Sequence, residues 1–197
     1  MSASVLVLNA HPDPAPERLC AALADAYAGG AEAAGHGVAR LGLAGLDFPM
    51  LDGAESFRRR APPPAIAAAQ EAIEAATHLC IVFPIWLGGP PALLHGFLEQ
   101  TLRPDFVLGP GAEAPTPFGK RRLAGRSVRL VATMAMPQLA YRLWYLGRGV
   151  GAMRQGALGF SGFGPVRVSM IGSAEALSRR RAARLLARMR ALGARPG

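Results

Sequence analysis

The chain has 197 residues, of which 51% are hydrophobic and 18% are charged, and its formal net charge is +9. This length predicts one domain that buries its own core, and the apolar content excludes a disordered chain. Two cysteines, Cys20 and Cys80, are too few for a disulfide framework or a zinc finger.

The positive charge is concentrated in the second part of the chain. Residues 1–116 hold 6 Arg against 12 acidic residues, a balance of −6, and residues 117–197 hold 15 Arg and Lys120 against Glu175, a balance of +15. Such asymmetry is typical of nucleic-acid or membrane binding. However, Arg outnumbers Lys 21 to 1, as in proteins of GC-rich genomes, and the aromatic residues form no stacking series with the arginines. We therefore expect no nucleic-acid partner, and we interpret the seven arginines of residues 179–195 as a solvated helix face, far from any ligand.

An uncharged run, residues 75–98, is long enough to cross a bilayer, which takes about 20 residues. Prolines and glycines at positions 84 and 88–91 would break a single helix, so the run predicts a buried strand followed by a helix, not a membrane span. The first ten residues have no basic segment typical of a signal peptide, and we expect a cytoplasmic protein with reduced cysteines.

Apolar runs alternate with helical patterns along the whole chain. The predicted strands are residues 4–9, 38–43, 78–83, 128–133 and 166–171, and the predicted helices are residues 17–34, 65–76, 92–102, 138–154 and 174–192. Residues 44–64 and 104–124 are predicted loops that rim a site. Five strands alternating with helices predict a doubly wound α/β fold, with a parallel sheet covered by helices on both faces, in a single domain of residues 1–197.

Ligands of such sheets bind at the carboxyl ends of the strands. Three loops that follow predicted strands are therefore candidate binding loops. The loop at residues 10–18 lacks GxGxxG and Walker patterns, yet it leads into a helix N-terminus suited to a phosphate, near His11 and Arg18. His11 could alternatively only cap the strand end. Residues 83–91 offer the flat face of Trp86 beside glycines that allow close backbone approach, as a planar heterocycle would require. Residues 133–137 place the N-terminus of another predicted helix in the same region. The acidic residues show no metal-ligand spacing, so no metal site is predicted.

Three stretches carry a resemblance to a known family: VLVLNAHPDP at the first strand, FPIWLGGPPALLHGFLEQTLRPDF at the central one and LVATMAMPQLAYR at the fourth. The sequence resembles the flavodoxin-like NAD(P)H:quinone oxidoreductases, the group that includes DT-diaphorase and bacterial NAD(P)H-dependent flavin oxidoreductases. The stretches keep family order and spacing over most of residues 4–172. The middle stretch is the most specific of the three.

The resemblance implies a flavodoxin-like fold and a bound flavin. The flavin phosphate would lie near His11, Arg18 and Leu19. The isoalloxazine would lie on the central loop and along the third loop, which comprise Pro84, Ile85, Trp86, Leu87, Gly88, Thr133, Met134, Ala135 and Met136. Tyr141 matches a family tyrosine that faces the substrate. FMN is favoured over FAD, because the chain ends soon after the fifth helix, without a further segment to hold an adenosine.

This chain also departs from the family pattern. Pro16 and Glu17 replace the usual hydrogen-bond donor of the phosphate loop, and Ala135 replaces a glycine. The family histidine that helps protonate the quinone falls at Gly147 or Arg148. An arginine cannot deliver a proton at neutral pH, but Arg148 could stabilise an anionic flavin or a substrate oxygen.

The function implied by the resemblance is ping-pong hydride transfer from NAD(P)H through FMN, or FAD, to a quinone or similar small acceptor. Tyr141 and Arg148 would be the catalytic residues of a homodimer, with residues 104–124 and 141–160 as candidate dimer contacts. The alternative is a non-catalytic protein, either an electron-carrier flavodoxin or a flavin-binding regulatory subunit, since some relatives are ancillary subunits of potassium-efflux systems. Carrier flavodoxins are generally acidic, and the +9 charge weighs against that alternative.

Overall fold

The five expected strands form one sheet in the computed structural model, which describes residues 2–58, 61–109 and 121–197. They are β1 (Ser4–Asn9), β2 (Gly37–Gly42), β3 (His78–Pro84), β4 (Ser127–Thr133) and β5 (Val166–Ile171). All neighbours pair in parallel, and the order across the sheet is β2-β1-β3-β4-β5. Every residue of β3 is buried, because this central strand is covered on both faces. The predicted doubly wound α/β class is confirmed.

Helices connect the strands on both sides of the sheet. They are α1 (Leu19–Ala33), α2 (Ala54–Arg58), α3 (Pro64–Ala75), α4 (Ala92–Thr101), α5 (Pro104–Leu108), α6 (Gln138–Trp144), α7 (Arg148–Gly151) and α8 (Arg179–Gly193). A π-helix, Ala152–Gly159, follows α7 directly. The short helices α2 and α5 lie in segments expected to be loops, and residues 110–120 of the second segment are outside the described ranges.

Two helix predictions differ from the structure in detail. The helix expected at residues 138–154, with interruptions at its glycines, is divided after Trp144, where Leu146 and Gly147 adopt positive φ angles of 53° and 66°. The last helix begins five residues later than expected, after a 3₁₀ turn at Ala174–Ala176, and the Ser178 hydroxyl caps it by accepting a hydrogen bond from the Arg181 N–H at 3.3 Å.

The alternation of side chains along each strand divides the core into two layers. Leu6 and Leu8 of β1 face the layer beneath α3 and α4, whereas Val5 and Val7 face the layer beneath α1 and α8. The uncharged run of residues 75–98 folds mostly as β3 and α4. None of the described helices is long and apolar enough to cross a membrane.

Helices α1 and α8 touch through their backbones. A Cβ atom on Gly30 would lie 2.1 Å from the Arg190 carbonyl oxygen, and one on Gly193 would lie 2.0 Å from the Tyr27 carbonyl oxygen. Both positions therefore require glycine for this packing. At the other end of α8, the Arg181 guanidinium donates to the Gly172 carbonyl at 3.3 Å, just after β5. This corrects the expectation that all arginines of the last helix lie far from the strand ends.

Candidate active site

A cleft of about 340 Å³ opens at the carboxyl ends of β1, β3 and β4. The chain leaves β1 and β3 in different directions across the sheet, and such a switch in strand order is where ligands of open α/β sheets bind. The cleft is lined by His11, Glu17, Arg18, Leu19, Cys20, Pro84, Ile85, Trp86, Thr133, Met134, Ala135, Ala174 and Glu175.

The N-terminus of α1 forms one end of this cleft. The first hydrogen bond of the helix runs from the Ala22 N–H to the Arg18 carbonyl, and no side chain caps the helix. The N–H groups of Leu19, Cys20 and Ala21 therefore have no intrahelical acceptor. Free N–H donors at the positive end of a helix dipole are suited to an anionic group such as a phosphate.

His11 is held by its own loop in a defined orientation. His11 Nδ1 lies 3.0 Å from the Asp13 backbone nitrogen and 3.1 Å from the Asp13 carbonyl oxygen. The imidazole meets the edge of the Trp86 indole, with ring centroids 6.1 Å apart and an interplanar angle of 83°. The histidine therefore connects the loop of residues 10–18 to the indole of Trp86 in the central loop.

The cleft contains acidic as well as basic side chains, so its side-chain charges do not by themselves favour an anion. Arg18 donates from Nε to Asp13 Oδ2 at 2.7 Å, and its NH2 group contacts the same oxygen. The Ala15 N–H and the Arg18 guanidinium lower the pKa of Asp13, so this carboxylate is charged and neutralises Arg18. Glu17 and Glu175 add two negative charges, and neither forms an ion pair within the described ranges.

The central loop makes a tight hairpin turn at the mouth of the cleft. The Trp86 N–H donates to the Gly89 carbonyl at 2.8 Å, and the Gly89 N–H donates back at 3.0 Å. The two residues between them, Leu87 and Gly88, have φ angles of 49° and 83°, as a type I′ turn requires. The Leu87 side chain is fully exposed, whereas Trp86 presents about half of its surface to the cleft and solvent.

Helices α6 and α7 clamp this turn from outside. The Tyr141 hydroxyl donates to the Gly88 carbonyl at 3.0 Å and accepts from the Val150 N–H at 3.4 Å. The Tyr145 ring covers the α-carbon of Gly88, where a Cβ atom would lie 2.3 Å from the ring. Gly149 packs against the Gly88 carbonyl oxygen, which would lie 2.1 Å from an added Cβ atom.

These contacts determine the surroundings of Tyr141, the residue expected to face the substrate. The side chain is 0% exposed, and burial raises the pKa of its hydroxyl. Both hydrogen bonds of the hydroxyl lie within the chain, so Tyr141 holds the Trp86–Gly89 turn in position. Its contact with a substrate stays a prediction.

The third loop closes the cleft beside β5. The Met134 N–H donates to the Ile171 carbonyl at 2.9 Å, whereas the N–H groups of Ala135 and Met136 have no acceptor in the described part of the chain. Cys20 Sγ lies 3.4 Å from the Thr133 hydroxyl oxygen, and burial raises the pKa of Cys20 to about 11. At neutral pH this residue is an uncharged thiol on the cleft wall, not a nucleophilic thiolate.

Most of the cofactor-binding residues predicted from the sequence come together in the cleft. Those that line it are His11, Arg18, Leu19, Pro84, Ile85, Trp86, Thr133, Met134 and Ala135. Leu87, Gly88 and Met136 are adjacent but do not line it, and Arg148 is exposed at the start of α7, beside Gly149. No group of metal-ligating side chains is found among the residues that the structure describes.

The cleft is also lined by residues that were not predicted to belong to the site, among them Cys20, Ala174 and Glu175. Ala174 and Glu175 follow β5, whose carboxyl end lies at the same edge of the sheet as those of β1, β3 and β4. The rule that directed attention to three loops applies equally to this fourth loop, and it could have identified both residues.

The chain belongs to a family described as having a flavodoxin-like fold, whose model matches residues 3–192. No curated protein matches the chain. Among solved structures, a putative quinone reductase from Klebsiella pneumoniae is 20% identical, with a TM-score of 0.80 over 97% of this chain and 83% of that one.

Two further neighbours cover nearly the whole chain. The NAD(P)H:quinone oxidoreductase from Methanothermobacter marburgensis is 18% identical, with a TM-score of 0.79 over 98% of this chain and 96% of that one. An FMN-dependent NADH-azoreductase from Bacillus anthracis str. Ames Ancestor, solved in complex with FMN, is 12% identical, with a TM-score of 0.72 over 99% of each chain. At these identities the neighbours establish the fold.

Proposed function

We propose that this protein is an FMN-binding oxidoreductase that passes hydride from NAD(P)H to a quinone or similar small acceptor. The observation that carries the proposal is the cleft itself, in which a helix N-terminus, a half-exposed indole and unpaired backbone N–H groups converge at the switch point of the sheet. The similarity to solved quinone reductases and to an FMN-bound azoreductase supports the same chemistry.

The residues of the cleft fit a flavin mononucleotide. The volume of the cleft, about 340 Å³, is within the range of small-molecule sites. The unpaired N–H groups at the start of α1, with the His11 imidazole and Arg18, would hold the phosphate. Pro84, Ile85 and Trp86 offer an apolar surface for the ring, and the N–H groups of Ala135 and Met136 can donate to acceptor atoms along the edge of the ring. FAD is the alternative cofactor.

The bound flavin would supply the hydride-accepting and hydride-donating chemistry. The chain would leave one ring face open, because the Leu87 side chain is fully exposed and about half of Trp86 is exposed. NAD(P)H and the acceptor would occupy that open face in turn, which is the basis of the ping-pong scheme. The N–H groups of Ala135 and Met136 would stabilise negative charge on the reduced ring.

Arg148 is the residue that we propose for the acceptor side of the site. It is exposed, and it directly precedes Gly149, which touches the Gly88 carbonyl of the turn. Its permanent positive charge would stabilise an acceptor oxygen as negative charge develops. The proton that completes reduction of a quinone would then come from water, because a guanidinium does not release one at neutral pH.

A homodimer is part of the proposal. Leu139, Leu143, Trp144 and Leu146 are each more than 60% exposed, and together with the fully exposed Leu87 they form an apolar surface beside the cleft. Surfaces of this kind typically mark protein interfaces. A second copy of the chain on this surface would cover the open side of the flavin site and agrees with the expected contact at residues 141–160.

The experiment that tests the proposal begins with the cofactor. Purified protein is heated, and the released compound is identified by chromatography, with FMN as the expected result. Oxidation of NADH and NADPH is then measured with menadione as acceptor. Turnover well above that of free flavin supports the enzyme, whereas flavin-loaded protein without such turnover favours the binding or carrier role. Protein that takes up neither FMN nor FAD contradicts the proposal.

A further inference from the structure

Two arginines lie side by side on the sheet, far from the flavin cleft. Arg129 of β4 pairs with Arg167 of β5 in the parallel register, and Cys80 of β3 pairs with Arg129 on its other side. Residues in register share a face, so both arginine side chains lie on the face covered by α1 and α8. That layer also contains the apolar cluster of Val5, Val7, Cys80 and their neighbours.

Arg129 is a buried cation whose hydrogen-bond partners are the hydroxyl groups of Ser169 and Tyr27. Its side chain is 8% exposed, its NH1 group donates to the Ser169 hydroxyl at a long 3.4 Å, and its Nε atom is buried without a hydrogen-bond partner. In the described ranges of the chain, no carboxylate forms an ion pair with Arg129 or Arg167. Burying a charge without a counter-charge is costly, and two like charges side by side add to that cost.

The polar groups around this pair are hydroxyls and an imidazole, not acids. Tyr27 Oη lies 2.8 Å from His78 Nε2, and Ser127 Oγ lies 2.7 Å from His78 Nδ1. Burial, followed by the positive charges of Arg129 and Arg167, lowers the pKa of His78 to about 4. Both guanidiniums therefore act on the same imidazole, which is neutral at physiological pH and gives the cluster two positive charges and no negative one.

We propose that Arg129 and Arg167 form a binding site for a small inorganic oxyanion of the phosphate class, with the Ser169 hydroxyl as a further donor. A planar guanidinium presents paired N–H donors that match the oxygens of phosphate or sulfate, which favours an oxyanion over chloride. The site lies toward the amino ends of β4 and β5, at the opposite end of the sheet from the cleft. It is therefore distinct from any site for the flavin phosphate.

The test is thermal unfolding of the flavin-loaded protein, because the flavin phosphate then fills the site at α1. Sodium phosphate is titrated at constant ionic strength against sodium chloride. Phosphate at about 100 times its Kd is expected to raise Tm by roughly 5–10 °C. Arg129→Leu and Arg167→Leu should lose this increase, whereas Arg188→Leu, which removes an exposed charge of α8, should keep it.

The proposal is overturned if the two variants respond to phosphate as the parent does, or if chloride gives the same increase. Arg167 is exposed, so Arg167→Leu decides the question should Arg129→Leu fail to fold. Arg129→Leu and Arg167→Leu change only the end of the sheet that is remote from the cleft. If the protein binds no flavin, the responses of the parent and the variants to phosphate can still be compared. Phosphate binding measured by equilibrium dialysis should show the same loss in both variants.

Discussion

The Tyr141 hydroxyl donates a hydrogen bond to the Gly88 carbonyl, 3.0 Å away, and so joins α6 to the turn that borders the cleft. Tyr141→Phe removes this bond and leaves the partly buried Gly88 carbonyl without its donor, at an expected cost of about 1 kcal/mol in the free energy of unfolding. Because the turn would support the flavin ring in the proposed function, we also expect weaker FMN binding, with little change in KM for menadione. The measurements are urea unfolding, flavin fluorescence titration and steady-state kinetics.

Tyr145→Phe is the matched control for that experiment. It removes a hydroxyl from a neighbouring ring that stacks on Tyr141, but no hydrogen bond to the Tyr145 hydroxyl is found in the described part of the chain. We expect nearly unchanged stability and FMN affinity. A rise in KM for the acceptor in Tyr141→Phe, with FMN binding intact, would instead support a substrate-facing tyrosine.

Gly149→Ala tests how closely α7 must approach the turn. The added methyl would lie 2.1 Å from the Gly88 carbonyl oxygen, so either the turn or the helix must move. We expect a loss of roughly 1–3 kcal/mol of unfolding free energy and weaker FMN binding. Gly151→Ala, in the same helix with open space around its α-carbon, should be neutral or slightly stabilising in the same assays.

Asp13→Asn tests whether this carboxylate competes with a cofactor phosphate for Arg18. The amide keeps the oxygen that accepts from the Ala15 N–H but removes the charge that neutralises Arg18. We expect FMN affinity to rise roughly two- to five-fold, the modest size typical of exposed ion pairs. Riboflavin, which has no phosphate, should bind as before.

Glu32→Gln provides the control for net charge, because it removes an equal charge from the far end of α1, where Glu32 pairs with Arg40. Equal gains in FMN affinity for the two variants would mean that overall charge, and not the Asp13–Arg18 pair, governs binding.

His78 should make the protein sensitive to moderate acid. Its folded-state pKa is about 4, below the ordinary value of 6.5, so the unfolded state binds the proton more readily. Unfolding free energy should therefore fall as pH decreases from 6.5 toward 4, by about 3 kcal/mol at most, and this group contributes no pH dependence above 6.5. His78→Gln should flatten the decrease in urea unfolding measured across this range, whereas His95→Gln, at an exposed position of α4, should retain it.

Strand β1 was predictable because a buried parallel strand is a continuous apolar run, and its bounds were predicted to the residue. The bounds of β5 were also predicted to the residue, although this strand is only partly buried and includes Arg167 and Ser169. Trp86 was found because it lies two positions after β3, and Arg18 because it directly precedes the first helix. Glu175 was missed because only the loops after β1, β3 and β4 were considered, whereas β5 ends at the same edge of the sheet.

The orientation of the Tyr141 side chain could not be predicted from the sequence. Its presence near the site was predictable, but the direction of its hydroxyl depends on α6, α7 and the Gly88 turn meeting in space. An interruption at the glycines of this helix was expected, but the positive φ of Leu146 was not, because leucine does not favour that conformation.

The glycine contacts between α1 and α8 connect the last helix to the wall of the cleft. Gly30 and Gly193 fix the C-terminal part of α1 against the backbone of α8, and the N-terminus of α1 supplies N–H groups at the cleft. Any bulkier residue at either glycine would push the C-terminal part of α1 outward and tilt its N-terminus. The orientation of the proposed phosphate donors thus depends in part on Gly193, which belongs to a helix that contributes no residue to the lining of the cleft.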